Sequence, residues 1–217
     1  MKIVGIDASL SSTGVAVLTD PPGDIHTEAI KSNKTGPARL IEIRDRVREL
    51  CAGANLVVIE GYAFAQASQA HQLGELGGVL RTMLFEMGVV VLEVGPGQLK
   101  KFASGKGNTK KEQMAVAIYK RWDREFATND EADAFVLVQI GRAYLPGGVF
   151  HIDNITAFQW EVIDALRGDG QAAGKKRSAK KGTGKKAGGK SAEPKVAATK
   201  ARDKQAKAKK QPSSKAG

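Results

Sequence analysis

Two short apolar runs that each stop at a carboxylate limit what this chain can fold into. Lys2 to Ala8 is interrupted only by Asp7 after its first residue, and the run from Asn55 to Ile59 ends in Glu60. Runs of this length suit strands, and one that is apolar at successive positions suits a strand covered on both faces. Both acids then stand where a buried strand meets solvent. The second strand is expected from Gly14 to Thr19 after the Ser-rich turn Ser9 to Thr13, and the third from Ile25 to Ile30 after Pro21-Pro22-Gly23-Asp24.

Helical periodicity takes over after the third strand. Leu40, Ile41, Ile43, Val47 and Leu50 recur near the helical period, which predicts an amphipathic helix from Ala38 to Leu50. A long helix is expected from about Ser68 to Met87, then a buried-type strand from Val89 to Val94 halted by Gly95-Pro96-Gly97. Capping boxes at Thr109-x-x-Glu112 and Thr128-x-x-Glu131 announce two further helices. The second ends near Pro146-Gly147-Gly148, and a last short helix around Thr156 to Leu166 would pack Phe158, Trp160 and Ile163 against the body. This order describes an α/β protein with a mixed five-stranded sheet flanked by helices and an antiparallel hairpin at one side, compatible with an RNase H-like fold.

Charge divides the chain into two parts. Of its 217 residues, 171–217 carry 16 Lys+Arg and two acids, Glu193 and Asp203, so this segment sums to +14 and residues 1–170 to -3, for a total of +11. The tail has no aromatic residue, and Val196 is its one large apolar side chain. It therefore lacks the apolar surface that offsets the entropy of ordering, and a disordered basic segment over 169–217 following a domain over 1–168 is the expectation. Such an arm suits sequence-independent binding to nucleic-acid phosphates; with no amphipathic apolar face beside the charge, a membrane surface suits it less. The single Cys51 excludes an internal disulfide framework, and no apolar run approaches the length of a membrane span. The expected setting is cytoplasmic and DNA-associated, in a prokaryotic cell or a phage-infected host.

Two motif matches are coincidental. Gly184 to Ser191 satisfies the P-loop pattern and Asp130-Glu131-Ala132-Asp133 spells a helicase-type acidic box. A P-loop needs a buried strand to aim backbone N–H groups at phosphate, and this match lies in the Lys/Gly tail; the acidic box opens a helix where a Mg-binding box ends a strand. No nucleotide cofactor is expected. The informative acids are Asp7 and Glu60 at strand ends and Asp130 and Asp133, three apart and so on one face near the start of a helix. Unpaired carboxylates at buried strand ends are costly unless a cation compensates them, and a purely oxygen donor set suits Mg²⁺ or Mn²⁺. Two such ions can clamp the attacking and leaving oxygens of phosphodiester hydrolysis. Glu131, at the third position of its capping box, is assigned to the cap and not to this set.

The segments IVGIDASLSSTGVAV, LVVIEGYAF, VGPGQLKKFASGKGNTKKEQM and NDEADAFVLV occur in the order and context of RuvC-like Holliday-junction resolvases, and the chain resembles that family over about residues 2–145. The resemblance implies an RNase H-like fold, a homodimer, two divalent metals per active site and paired nicking of four-way DNA junctions. It places the catalytic acids at Asp7, Glu60, Asp130 and Asp133. It also implies basic residues facing the junction backbone at Lys100 or Lys101 and at Lys110 or Lys111. Where the family has an aromatic three residues beyond its second acid, this chain has Ala63 between Tyr62 and Phe64, either of which could open the junction centre. For the dimer contact, the helix carrying Leu73, Leu76, Gly77, Leu80 and Leu84 is one candidate; the same stripe could equally cover the sheet.

Two other classes compete. GIDASLSSTG also resembles the phosphate-binding hairpin of actin-like and sugar-kinase ATPases, but those need a second domain and a second Gly-rich loop that a body of this size does not supply. A non-catalytic, nucleoid-type DNA-binding protein would use the tail and leave four acids without a role. Charge arithmetic predicts a division of labour. A protein ending at Gly170 should bind all DNA more weakly at low salt, and the slope of log affinity against log salt should flatten by several units, at about 0.9 for each phosphate that the tail no longer neutralises. Preference for four-way junctions over duplex should survive. Salt titrations of both proteins on both DNAs check this; an unchanged slope, or an abolished preference, would reverse the roles of tail and body.

Overall fold

The computed structural model describes residues 1–19, 23–61, 70–145 and 154–168, with the side chains of 70–73 excepted. Tyr62, Phe64 and the basic tail therefore lie outside the described residues. Strands β1 (Lys2–Asp7), β2 (Thr13–Thr19), β3 (His26–Ile30), β4 (Leu56–Glu60) and β5 (Val90–Val94) form one sheet in the order β3-β2-β1-β4-β5. β3, β2 and β1 run antiparallel in sequence, while β4 and β5 are parallel to β1 and to each other. Helix α1 (Gly36–Cys51) lies between β3 and β4 in the chain, α2 (Ala70–Glu86) between β4 and β5, and α3 (Pro96–Ser104), α4 (Lys111–Trp122), α5 (Asn129–Tyr144) and α6 (Ala157–Leu166) follow β5. The sheet is mixed and five-stranded, as the run order implies.

Side-chain alternation feeds two cores from one sheet. Val4, Ile6, Val15, Val57 and Ile59 face α1 and α2, where Ile43, Val47, Leu76, Leu80 and Leu84 meet them. Ile3, Ala16, Leu18, Leu56 and Val58 face α5, behind which α3, α4 and α6 contribute Leu99, Phe102, Met114, Ile118 and Ile163. β4 is fully covered on both faces, in line with its unbroken apolar run.

Two glycines decide how closely α5 lies on the sheet. A Cβ on Gly5 would stand 2.2 Å from the Ala134 carbonyl oxygen, and one on Gly14 would stand 2.0 Å from that of Asp130. Gly14 is the register partner of Asp7, so this close approach occurs beside the acid that ends β1.

Several local expectations are corrected. Gly95-Pro96-Gly97 starts α3 and does not merely halt β5: Pro96 occupies the first helical turn, and the Gly95 N–H donates to Gln98 Oε1 at 2.9 Å. Lys110, not Thr109, precedes α4; the Thr109 hydroxyl is buried, donates to the Lys106 carbonyl (2.7 Å) and lies 2.6 Å from Ser104 Oγ. The Thr128 cap holds, its Oγ1 accepting from the Glu131 N–H at 3.2 Å and donating to Glu131 Oε2 at 2.8 Å. β5 is an edge strand with Val90 and Val91 exposed, not a buried one. Trp160 is exposed and Val162 takes the core position beside Ile163. Of the two readings of the α2 stripe, covering the sheet is the one that Leu76, Leu80 and Leu84 meet, being wholly buried inside the domain, while the Leu73 side chain lies outside the described residues.

Because the contact at Gly5 is with backbone, no rotamer change can relieve it. Gly5→Ala should destabilise the protein by about 1–3 kcal/mol or more, the usual cost of overpacking. Urea unfolding checks this, and a midpoint equal to that of the wild type would contradict the close packing of α5.

Candidate active site

The carboxylates meet because three elements end at one place. Residues 3, 5 and 7 of β1 and 56, 58 and 60 of β4 share the face turned to α5, and Ile6 pairs with Ile59, so Asp7 and Glu60 leave adjacent parallel strands side by side. α5 arrives over Gly14 with Asp130 in its first turn, and Asp133 follows one turn later on the same helix face. All four acids line one cleft of about 310 Å³. Its other walls include Ser9, Gly61, Arg81, Lys100, Thr109, Lys111 and Asn129.

Electrostatics mark this cleft out from the surface ion pairs. Burial, then the charge of Glu60 within hydrogen-bond reach and that of Asp130, hold the Asp7 carboxyl well above the usual range; Lys111 opposes the shift. Glu60 is raised by burial and by Asp133, against its bond to Asp7 and the charge of Lys100. Burial pushes Asp133 up to about 7, with Asp7 and Asp130 adding to the shift and Lys111 and Lys100 opposing it. The cleft thus gathers negative charge that the protein itself only partly neutralises.

The sequence candidates separate in space. Lys100 and Lys111 line the cleft, whereas Lys101 donates to Glu161 on α6 at 2.6 Å and Lys110 is an exposed residue ahead of α4. Glu131 stays with Thr128, as its place in the cap requires. Sequence reasoning misses Arg81, whose Nε donates to Glu93 at 2.6 Å and Nη1 to the Gly77 carbonyl at 3.2 Å while the side chain lines the cleft. A single cation in the run Gly77 to Phe85 is the signal that the sequence offers. Thr109, which fits a cap in sequence, is a wall of the site instead.

For a metal, the test is the donor set. Among the described residues no three His, Cys, Asp or Glu side chains are disposed to hold one ion together as they stand, Asp7 and Glu60 being within hydrogen-bond reach of each other. The chemistry nonetheless fits a hard cation: the acids offer only oxygens, and the negative charge of their neighbours helps to raise the Asp7, Glu60 and Asp133 carboxyls, which is the repulsion a divalent ion relieves. Cys51 offers no competing nucleophile, since it is buried in α1 on the opposite core and burial pushes its thiol up to about 12.

A sequence model of the crossover junction endodeoxyribonuclease RuvC matches residues 3–139, more than half of the chain. The chain belongs to the RuvC family. The RuvC of Parasynechococcus marenigrum is 26% identical over 150 residues, which cover 65% of this chain and 97% of that protein. The solved Thermus thermophilus RuvC superposes with a TM-score of 0.52 at 26% identity over 64% of this chain and 91% of that one. The same bacterium's RuvC in complex with Holliday junction substrate gives 0.53 at 27% identity, over 64% and 90%. The RNase H-like architecture of the RuvC family is therefore the architecture of this chain. Among the described residues no helix is long and apolar enough to cross a membrane.

Raised carboxyl pKa values have a sign that stability can report. A folded-state pKa above the unfolded value means that the folded state binds more protons in between, so stability falls as pH rises from about 4 towards 7. Without divalent ions, Asp133→Asn should be more stable than wild type at pH 8 by roughly 1–3 kcal/mol, and the gap should close near pH 4. Urea titrations across this pH range check it; a gap independent of pH would show that Asp133 is not held in a desolvated, like-charged setting.

Proposed function

We propose that this protein is a divalent-metal-dependent endonuclease that hydrolyses phosphodiesters of four-way or other branched DNA by paired nicks. The observation that carries the reading is the meeting of Asp7, Glu60, Asp130 and Asp133 in one cleft rimmed by Lys100 and Lys111, in a chain of the RuvC family. The Thermus relative's complex with Holliday junction substrate supports the choice of DNA. In this reading the four acids are the catalytic set and hold two ions, Mg²⁺ or Mn²⁺. Those ions would activate water and neutralise charge at the phosphate.

The chain's own groups set the geometry. Asp7, which feels the charge of both Glu60 on the adjacent strand and Asp130 on α5, would help to hold both ions. Lys100 and Lys111 line the same cleft as the carboxylates and are the groups that would draw a phosphate into a cleft otherwise hostile to it. Lys101, bonded to Glu161, and Lys110, exposed ahead of α4, would serve the flanking duplex. In sequence Tyr62 is one residue and Phe64 three residues beyond Gly61, which lines the cleft, and this proximity along the chain supports a role for one of them at the junction centre. Paired nicks on opposite strands call for two copies of the site, hence a homodimer.

Asp7→Asn keeps the side-chain size and removes the charge on which metal binding depends. Junction cleavage in Mg²⁺ should fall by at least a hundredfold, while junction binding in gel shifts stays equal or tightens because repulsion of phosphate is reduced. Wild-type cleavage rates in the purified variant would refute the site. A wild-type protein that binds junctions and never cuts them would favour the non-catalytic DNA-binding reading.

A further inference from the structure

The cleft does not stop at the carboxylates. A second open groove, of about 850 Å³, shares Lys111, Ala115, Asn129, Asp130 and Ala132 with it and continues along α4 to Tyr119, Lys120 and Arg124. Met114 and Ile118 bury the inner side of α4, while Val116 and Tyr119 stand 53% and 50% exposed on its outer side. Lys111, Ala115 and Tyr119 recur every four residues and so form one line along the helix. The first two line both cavities and the third lines only the groove. At a rise of about 1.5 Å per residue, Tyr119 stands about 12 Å along the axis from Lys111. That is three to four nucleotide steps of about 3.4 Å in a stacked strand, and fewer in an unpaired strand that is stretched out.

The lining chemistry narrows the occupant. Lys111, Lys120 and Arg124 bring cations, against Glu125 and Asp130, and Arg124 is itself bonded to Asp24. Phe126 is partly buried and packs its ring on Phe135 at 5.0 Å, so Tyr119, half exposed, is the more accessible of the groove's two aromatics. A duplex keeps its bases stacked on each other and has no use for an exposed ring, whereas an unpaired base gains by stacking on one. Two exposed apolar side chains make a small patch for a protein partner, and the groove's direct continuity with the cleft favours the strand that the cleft holds. Building on the nuclease reading, which sets where the scissile phosphate sits, we propose that the groove receives unpaired nucleotides of the cleaved strand, two to four positions from the cut on one side, with one base stacked on Tyr119 and a neighbouring phosphate on Lys120. The preferred substrate is then branched DNA in which a few nucleotides next to the cut are unpaired.

The test uses the full chain and junctions that carry a short unpaired segment beside the cleavage site, with a single abasic residue walked from one to six positions on either side. Tyr119→Ala should lower kcat/KM on the unpaired substrates roughly five- to a hundredfold, the range of one base–aromatic stack, and Tyr119→Phe should keep it. At one position two to four steps from the cut, the abasic residue should cost the wild type a similar factor and cost Tyr119→Ala almost nothing. Tyr119 is exposed, so the melting temperature should not move. Metal-free binding to the same abasic series reads the stack even if no substrate is cut, which separates failure of this inference from failure of the nuclease reading. Full activity and binding in Tyr119→Ala would overturn it, as would abasic and Tyr119→Ala effects that simply add at every position. A change of oligomeric mass in Tyr119→Ala with DNA binding intact would assign the groove to a second copy and overturn it as well.

Discussion

The contact on which the rest of this structure depends is that of the first turns of α5 with the backbone of β1 and β2. Two positions without side chains, Gly5 and Gly14, let helix carbonyls lie where a Cβ would otherwise be. The helix is buried along most of its length as a result, and it separates the sheet from the layer built by α3, α4 and α6. The same contact brings Asp130 and Asp133 to the ends of β1 and β4. Core packing and site assembly are thus one event, and a chain that packed α5 an ångström further out would lose both.

That event has an electrostatic cost. Four carboxylates in one cleft repel one another, and burial removes the water that would screen them. Lys100 and Lys111, delivered by separate helices, offset part of it and leave a net demand for positive charge. A site that only stabilised the fold would pair each acid, as Glu28 pairs with Arg46 on the surface at 2.6 Å. The unbalanced cleft instead stores a preference for a cation, the electrostatic property a hydrolase of polyanionic DNA needs.

Much of the site is legible without the fold, and the reasons are specific. Asp7 and Glu60 stand out because each terminates an apolar run, where a charge needs explaining. Asp130 and Asp133 stand out because the Thr128 cap fixes where the helix starts and leaves Glu131 a different task. The failures have equally specific causes. Pro96 can end one element and begin the next, and only the Gly95–Gln98 bond shows that it begins α3. Thr109 fits a capping box in sequence, yet Ser104 and Lys106 claim its hydroxyl. The Leu76, Leu80 and Leu84 stripe can serve a sheet or a second copy with the same spacing, and only burial decides.

By itself, then, the sequence determined the element order, the mixed sheet, the break in charge near residue 170 and the four acids, because these depend on local periodicity, on capping and on counting. The tertiary structure alone decided that Lys100 and Lys111 enter the cleft while Lys101 turns to Glu161, that Arg81 forms a wall, and that the cleft opens into a groove along α4. Adjacent lysines are alike in every local property. They differ in which face of a packed helix each occupies, and that is fixed by what lies on the other side.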